Sequence, residues 1–500
     1  MPASGTTQTR RSHTKSRNGC KTCKKRHIRC DESFPQCGNC TKHNVRCDYM
    51  DQPDAETSQT VLGTPDLKMT PQIERDIRQW RETGVSPFPS LGVTEQPALT
   101  LAQYSNTDLR LIYHISSIAV QMQNAEAQQR SVWVRRVPLF LKLAANYDFV
   151  MHALLALSAS HLSWLTACPA TLQLSYHHRG IALKGLPEAI GKFSKENADA
   201  ILAASILLSW QATDCQGWQS LMQGTATVVN SMQPFQEESE FGEYLEENNF
   251  FHEASGPIQL SPVETARLLD HIFNSLQILV PFVQGREEES RGLNDLIFFV
   301  RNLADSILLL QSAAEQFERL HPLRSWLFFL PISFLKRARE DEDVLILLAH
   351  FYAVALAVEP LFPAVGAAWF GSLAVGPILE IHKNLVKQHQ SMTPLEKQRR
   401  WPIHLMEFPL EVVRDFRIRM GWRRADEVAT EAYAAQEMQF PSSPSVSGSS
   451  EGTVGRPVTQ VGEGDVVFDI TQFSDIQVRP LSNEDFYGPG LWRGWSTASN

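Results

Sequence analysis

The chain has 500 residues, more than one ordinary hydrophobic core holds, so at least two independently organised regions are expected. Hydrophobic residues make up 43% of the sequence and charged residues 20%, which excludes a wholly disordered chain. The net charge is −9, but residues 1–50 carry 11 Lys and Arg against 3 Asp and Glu. Residues 1–50 therefore have a net charge of +8, and the remaining residues have a net charge of −17.

Residues 1–17 form a polar, basic N-terminal arm with no apolar stretch, so we expect no secretory signal there. A basic head on an acidic body is typical of a nucleic-acid binder with a separate protein-facing domain. A basic tail that only solubilises the chain would show the same charge. Lys15 and Arg17 are candidates for phosphate contacts, and the arm as a whole is a candidate nuclear import signal.

Six of the eight cysteines fall within residues 20–47, as a CxxC pair followed after six residues by a third cysteine, written twice. A dense cluster of reduced thiols indicates a metal site rather than a disulfide framework. Each half offers three thiolates, one fewer than tetrahedral zinc takes, and two zinc ions are fully served only if two sulfurs are shared. The spacing therefore predicts a binuclear zinc cluster, and a disulfide knot or a four-cysteine site with two spare thiols is disfavoured. The predicted ligands are Cys20, Cys23, Cys30, Cys37, Cys40 and Cys47.

Residues 20–47 resemble the fungal binuclear zinc-cluster DNA-binding domain of the galactose-regulator type. The resemblance rests on all six cysteines, on the basic run between the second and the third, and on Pro35. It implies two short helices, each followed by an extended strand, around a pseudo-two-fold axis, with Cys20 and Cys37 bridging the two metals. Because so small a module has little apolar core, we expect residues 15–50 to be unfolded without zinc.

The run between Cys23 and Cys30 places four certain cations within six residues, and some of them must contact phosphate. The resemblance implies that the end of the first helix enters the major groove and that Arg26 and His27 read a CGG triplet. Arg26 suits a bidentate contact to guanine, whereas His27 replaces the commoner Lys or Arg, and its partner, a base or a phosphate, stays open. The alternative is that this run is a solvated charged surface with no role in binding. The candidate DNA-binding residues are Lys15, Arg17, Lys24, Lys25, Arg26, His27 and Arg29.

Residues 51–105 are predicted to be a disordered linker rich in Pro, Thr, Gln and Asp. Within it, Ile73, Ile77 and Trp80 fall at helical spacing in a short segment that ends at Gly84. This stripe is too short for a sustained coiled coil, so we predict that it docks on the next domain. Homodimerisation and the spacing of DNA half-sites are left open.

Residues 106–440 are predicted to form an all-α domain, because helical apolar spacing recurs and strand-like alternation is scarce. Ser105 or Thr107 is the candidate cap of its first helix, and Asp148 that of the second. The longest apolar run, Val344–Val358, is shorter than a bilayer span and is predicted to be a buried helix, so no membrane span is expected. Further helices are predicted at 199–210, 218–232, 264–282, 292–316, 364–387 and 403–420.

Parts of this region are similar to the regulatory domain of the fungal sterol-uptake regulator type. The segments that carry the similarity are 108–120, 149–164, 176–187, 197–210 and 344–358. In some relatives this domain binds a sterol, so the resemblance implies a pocket for a sterol-like or other hydrophobic small molecule. Apolar helices, however, more often form only an ordinary core.

No enzyme motif lies in a suitable structural context, and we predict no catalytic residues. The GxSxG string at 448–452 lacks the strand and helix of a nucleophile elbow. The acidic run at 340–343 suits the start of the next helix better than a divalent metal. His152, His161, His177 and His178, together with Cys168 and Cys215, lack ligand-spaced partners and are predicted to be packed or surface residues.

Residues 441–500 form a low-complexity tail that continues, from Asp465, as acids alternating with bulky apolar residues. That composition suits an activation segment that binds coactivators or corepressors, and a segment docked on the main domain fits equally.

The sequence thus predicts a mostly α protein with a zinc-cluster module at residues 18–50. Its predicted function is nuclear: reading CGG-like triplets in double-stranded DNA with two zinc ions, and thereby regulating RNA polymerase II transcription. The alternative is a sensor whose helical domain responds to a hydrophobic small molecule.

Overall fold

The structure is a computed structural model of the chain. It describes residues 19–31, 37–43, 45, 47, 63–91, 103–242, 245, 260–307, 312–329, 332–337, 341–365, 373–399 and 401–420. The chain divides into two compact units, residues 1–64 and residues 65–500. In the described ranges both units are helical and contain no β-strand, in agreement with the predicted fold class. Lys15, Arg17, Pro35, the string at 448–452 and the tail lie outside these ranges.

The helices are numbered here in chain order. The first unit contains α1 (Lys21–Lys25) and α2 (Gly38–Lys42). The second contains α3 (Pro71–Thr83), α4 (Asn106–Asn124), α5 (Val137–Ala144), α6 (Asp148–Thr166), α7 (Pro169–Ile190), α8 (Lys195–Trp210), α9 (Cys215–Met232), α10 (Pro262–Gln277), α11 (Glu287–Ser306), α12 (Ala313–Phe329), α13 (Ile332–Arg337), α14 (Glu342–Ala357), α15 (Val375–Ser391), α16 (Pro394–Arg399) and α17 (Glu407–Arg419). Short 3-10 turns lie at Pro89–Leu91, Gln128–Arg130, Val134–Arg136, Gln233–Glu238, Val280–Val283, Glu359–Leu361 and Ile403–Met406.

Helix α3 lies within the segment expected to be a disordered linker, and it packs on the second unit. Trp80 is 3% exposed and belongs to the main hydrophobic core. The hydroxyl of Tyr113 on α4 donates to Asp76 at 2.8 Å, and Arg81 donates to the backbone carbonyl of Tyr104 at 2.6 Å. The predicted docking of this stripe is confirmed. The helical unit starts near residue 65 rather than at the expected residue 106, because the buried indole ties α3 to it.

Side-chain caps set several helix starts. Ser105 and Asp108 form a reciprocal capping box at α4, which confirms Ser105 as the cap. The prediction that Asp148 caps α6 is wrong: Asp148 is the first helical residue, and Tyr147 occupies the cap position without a side-chain hydrogen bond to the first turn. The predicted helix at 292–316 is two helices, α11 and α12, separated around Ser312. Caps are local, so sequence finds them more reliably than it finds helix ends.

Helices α6 and α14 form the centre of the second unit. The stretches Asp148–Thr166 and Asp343–Leu361 are long and apolar enough to cross a bilayer, yet 72% and 89% of them are buried inside the protein. Helix α14 packs on α15 and α17, and α6 packs on α7. The prediction that Val344–Val358 is a buried helix is therefore confirmed.

The acidic run before α14 acts as a helix start. The carboxylate of Asp341 accepts from the backbone N–H of Asp343 at 3.2 Å. The guanidinium of Arg286 bridges both carboxylates, at 2.8 Å to Asp341 and 3.1 Å to Asp343. Among the described residues, the groups that could hold a metal ion consist only of cysteines. The capping interpretation of this run is confirmed.

Several histidines are packed into the helical unit. His114 Nε2 lies 2.9 Å from His161 Nδ1, and His152 Nδ1 lies 3.0 Å from His178 Nδ1. His350 is 2% exposed, and its Nδ1 lies 2.8 Å from the carbonyl oxygen of Ile346. Burial lowers the pKa of His161, of His178 and of His350 to about 4 in each case. These imidazoles are thus neutral core groups at pH 7.

Candidate metal centre and nucleic-acid interface

The first unit is built as the same small motif twice. Cys20 caps α1 and its sulfur accepts from the backbone N–H of Cys23 at 3.2 Å, while Cys37 caps α2 and accepts from Cys40 at 3.4 Å. The two caps are 17 residues apart in sequence. A cysteine at a cap directs its sulfur toward the N–H groups of the first turn, so each CxxC pair converges from the start of one helix.

The backbone repeats the same pattern after each helix. Ile28 N–H donates to the carbonyl of Cys23 at 3.1 Å, and Val45 N–H donates to the carbonyl of Cys40 at 3.0 Å. These two bonds turn the chain back beyond each helix. Such a turn brings the third cysteine of each half, Cys30 or Cys47, back to the other sulfurs.

All six cysteines of the module are at most 2% exposed, and their sulfurs fall into two overlapping groups of four. One group consists of Cys20, Cys23, Cys30 and Cys37, and the other of Cys20, Cys37, Cys40 and Cys47. Within each group the sulfurs lie within 4.8 Å of one another, and Cys20 and Cys37 belong to both, 3.7 Å apart. All eight cysteines of the chain are described, and none forms a disulfide. This donor set fits two tetrahedral zinc ions that share two thiolates.

Without a cation this arrangement is unfavourable. Burial raises the pKa of the Cys20 and Cys23 thiols, and raises that of Cys40 to about 12. Among the described residues of the module, the hydrophobic core is the six cysteines, with only Ile28 and Val45 partly buried against them. So little apolar surface cannot offset the entropy of ordering the chain, and metal binding has to supply the difference.

Two contacts outside the sulfur cluster hold the halves together. The carboxylate of Asp31 accepts from the backbone N–H of Gly38 at 2.9 and 3.1 Å, at the start of α2. A Cβ atom at residue 38 would lie 2.6 Å from a carboxylate oxygen of Asp31, so a larger residue there would displace this side chain from its present position. Asn39 donates from its side-chain amide to the carbonyl of Arg29. These two contacts were not predicted from the sequence. The features that could have indicated the first of them are the acid that follows Cys30 and the glycine that follows Cys37.

The C-terminal end of α1 presents a cationic surface made of Lys24, Lys25, Arg26, His27 and Arg29. All five side chains are exposed, and none of them forms an ion pair with a described acid. Lys15 and Arg17 lie outside the described residues, so the structure brings together five of the seven candidate DNA-binding residues.

His27 has a backbone conformation that its sequence position does not reveal. Its φ is +56°, in the left-handed region, directly after Arg26 ends α1. Its N–H donates to the carbonyl of Lys24 at 3.2 Å. Histidine is enriched in this region relative to other residues with a Cβ atom. The histidine at this position therefore serves the turn out of α1 as well as the cationic surface.

The helical unit contains a small cavity of about 50 Å³ between α7, α12 and the segment that joins α8 to α9. Pockets for drug-sized ligands hold roughly 300–1,000 Å³, so this cavity does not match a sterol-sized molecule. Its lining includes the cationic side chains of Arg179 and Arg324 and the aromatic rings of Trp210 and Phe328.

Comparison with known proteins assigns both units. Residues 18–56 match the fungal Zn(2)-Cys(6) binuclear cluster domain, and residues 136–297 match the fungal specific transcription factor domain. No solved structure matches the chain.

Three curated relatives illustrate the similarity. Sterol uptake control protein 2 of Candida albicans is 53% identical over 182 residues, which cover 31% of this chain and 24% of that protein. Its Saccharomyces cerevisiae namesake is 29% identical over 152 residues, 27% of this chain and 16% of that protein. The Zn(2)-C6 fungal-type transcription factor afumD of Aspergillus fumigatus is 30% identical over 206 residues, 40% of this chain and 47% of that protein. The chain thus spans less than half the length of each of these relatives.

The six-cysteine module and residues 136–297 of the helical unit each match one of these domains, and the module's sulfur geometry suits two zinc ions. The chain thus carries a region that matches the zinc-binding Zn(2)-Cys(6) cluster domain and a region that matches the fungal specific transcription factor domain, and parts of it are similar to fungal Zn(2)-C6 transcription factors.

Proposed function

We propose that this protein is a sequence-specific regulator of RNA polymerase II transcription that acts in the nucleus and has no enzymatic activity. The observation that supports the proposal best is the exposed cationic end of α1, fixed in place by the cysteines of two overlapping four-sulfur groups. A cationic surface on a rigid element gives affinity for phosphate and holds a side chain at a base edge.

In this proposal one zinc ion is held by Cys20, Cys23, Cys30 and Cys37, and the other by Cys20, Cys37, Cys40 and Cys47. The ions supply charge that offsets the buried thiolates and thereby stabilise the module. The chain's own residues orient the reading surface: the cysteine cap fixes the start of α1, and the bond from Ile28 to Cys23 fixes its end.

The cationic surface is divided by role. Arg26, at the C-cap of α1, is proposed to donate two of its guanidinium N–H groups to O6 and N7 of a guanine in a CGG triplet. Lys24, Lys25 and Arg29 are proposed to contact phosphates, together with Lys15 and Arg17 upstream. His27, held by its left-handed backbone, is proposed to donate to the neighbouring base or phosphate.

Replacing Arg26 with alanine is expected to relax sequence discrimination. The full-length chain loaded with zinc is titrated with a CGG-containing duplex and with a duplex of equal length in which the triplets are scrambled. We expect the Arg26→Ala variant to lose about 1–3 kcal/mol of preference for the CGG duplex, because a bidentate guanine contact is removed. The Lys25→Ala variant should weaken binding to both duplexes alike and flatten the salt dependence of binding.

Arg78→Ala is the matched control, because Arg78 is an exposed cation on α3 that pairs with Glu74 outside the module. It should leave affinity and preference unchanged. Equal binding of the two duplexes by the wild-type chain would refute sequence-specific reading. Equal preference in the Arg26→Ala and Arg78→Ala variants would refute the role assigned to Arg26.

The helical unit is proposed to connect the module to coactivators or corepressors, with the tail as an activation segment. The names of two relatives suggest genes of sterol uptake as targets. Genome-wide occupancy mapping should show such genes among sites that are lost in a Cys23→Ala variant. A Cys23→Ala variant that retained its sites would contradict this.

The alternative of a hydrophobic ligand sensor gains no support from the small, cationic cavity described above.

A further inference from the structure

We propose that the helical unit contains a binding site for a small oxyanion, a phosphate or carboxylate group, held between Arg179 and Arg324. Arg179 lies on α7 and Arg324 on α12, and both line the cavity of about 50 Å³. Thr213, in the segment between α8 and α9, lines it as well. The site belongs to the second unit and is separate from the zinc cluster.

Both guanidinium groups are buried with hydrogen-bonding capacity unused. Arg179 is 1% exposed and Arg324 is 5% exposed. Arg179 donates from Nη1 to the hydroxyl of Thr213 at 3.2 Å, and its Nε and Nη2 have no hydrogen-bond partner. Arg324 donates from Nη2 to the carbonyl of Ala212 at 2.9 Å, and its Nε and Nη1 have none. Buried N–H groups in native proteins are nearly always satisfied, so four such nitrogens at one cavity call for an acceptor.

The charges at the cavity are also unbalanced. Burial lowers the pKa of Arg179 to about 10 and that of Arg324 to about 9, so both remain cations at pH 7. Among the described residues, Asp214 is the one acid whose charge acts on both guanidinium groups; its Oδ1 accepts from the backbone N–H of Gly217 to cap α9, and its Oδ2 has no hydrogen-bond partner. One excess positive charge is therefore buried here. An anion of one negative charge would compensate it.

The surroundings hold the two arginines in place. The Arg324 guanidinium lies 4.1 Å from the ring centre of Phe317 and 5.3 Å from that of Trp218, distances at which the ring faces attract a cation. Gln211 and the hydrogen-bonded pair Ser160–Ser175, with oxygens 2.6 Å apart, add polar groups to the lining. Planar guanidinium forks match the oxygens of a carboxylate or phosphate.

The size of the cavity limits the ligand class. One water molecule needs about 10–15 Å³ of such space, so 50 Å³ holds a few waters or one oxyanion group. A bound oxyanion would connect α7 and α12 through two charge-assisted contacts. The proposed ligand is thus a small metabolite with a phosphate or carboxylate, whose binding stabilises the helical unit.

Thermal unfolding of the zinc-loaded full chain tests the site. The chain is titrated with inorganic phosphate, with succinate, and with chloride, all at one ionic strength. We expect a saturable rise in melting temperature with phosphate or succinate and none with chloride, because a ligand that binds only the folded state stabilises it. The stronger of the two responses distinguishes a phosphate ligand from a carboxylate ligand.

Variants assign the response to the cavity. Arg324→Met and Arg179→Met should abolish the rise in melting temperature. Arg179→Lys should raise the half-saturating anion concentration about tenfold, because lysine keeps the charge and loses the two parallel N–H donors of the guanidinium. Arg110→Met is the matched control: Arg110 is 3% exposed and also has unpartnered Nε and Nη1 atoms, but it does not line this cavity. It should retain the full response.

Anions bound at the exposed cations of α1 would stabilise wild type and all variants alike, so an unchanged response in Arg324→Met and Arg179→Lys overturns the proposal. No rise in melting temperature with any anion, or an equal rise with phosphate, succinate and chloride, overturns it as well, since water would then be the occupant in the first case and a non-specific salt effect would explain the second. The wild-type titration and the Arg179→Lys variant keep the test valid if a methionine variant fails to fold.

Discussion

A Cys37→Ala variant is expected to lose both zinc ions and all specific DNA binding, whereas a Cys40→Ala variant retains up to one zinc ion. Cys37 belongs to both four-sulfur groups, so its removal leaves neither complete, whereas removal of Cys40 leaves the group of Cys20, Cys23, Cys30 and Cys37 intact. Structural zinc contributes about 10–16 kcal/mol to the folding of small metal modules. The zinc content of each purified variant, measured by atomic absorption, checks the prediction.

Chelation should have the same consequence for the wild-type module. In the part of the module that the structure describes, only Ile28 and Val45 are partly buried against the sulfurs, so residues 15–50 should become sensitive to protease in chelator while the helical unit stays resistant. For the measurement of zinc content, the control variant is Cys168→Ala, because Cys168 lies in the helical unit and its sulfur accepts from the backbone N–H of Asp66. Circular dichroism of residues 15–50 that showed ordered structure in chelator would refute the dependence on metal. Equal zinc loss in the Cys37→Ala and Cys40→Ala variants would refute the sharing of Cys37.

Acidification from pH 7 toward pH 4 is expected to destabilise the helical unit. An imidazole in the unfolded chain takes up a proton near pH 6.5, whereas burial lowers the pKa of His161 and of His350 to about 4. Between these values the unfolded state binds more protons, so stability is complete above pH 6.5 and falls as the pH drops toward 4. One pKa unit corresponds to about 1.4 kcal/mol, so each of these histidines lowers the free energy of unfolding by about 3 kcal/mol once the pH reaches 4.

Urea unfolding followed from pH 7 to pH 4 checks this effect. His350→Leu should reduce the loss of stability on acidification by about 3 kcal/mol, because leucine does not titrate and the site is apolar around Phe408. The same replacement at the exposed His404 is the control and should leave the pH dependence as in wild type. A His350→Leu variant that unfolds in acid in parallel with wild type would show that other groups control the transition.

The features that sequence alone predicted are local ones. The cysteine spacing predicts both the metal and the number of ions, because CxxC caps and a short return loop place sulfurs within one or two turns of each other. The capping box at Ser105 and the left-handed Gly84 at the end of α3 follow from neighbouring residues in the same way. Apolar spacing likewise predicted buried helices such as α14.

The features that only the tertiary structure decided depend on contacts far apart in sequence. The docking of the 73–80 stripe was predicted from the sequence, but only the burial of Trp80 in the core places the start of the helical unit near residue 65, and Asp148 could not be excluded as a cap without the backbone at Tyr147. Arg179 and Arg324 lie 145 positions apart, in segments whose local patterns give no sign of a shared cavity. Short-range geometry thus determined the zinc module from sequence, because its ligands are close along the chain. Long-range packing determined the interior of the helical unit, because burial and charge pairing there arise only when distant helices meet.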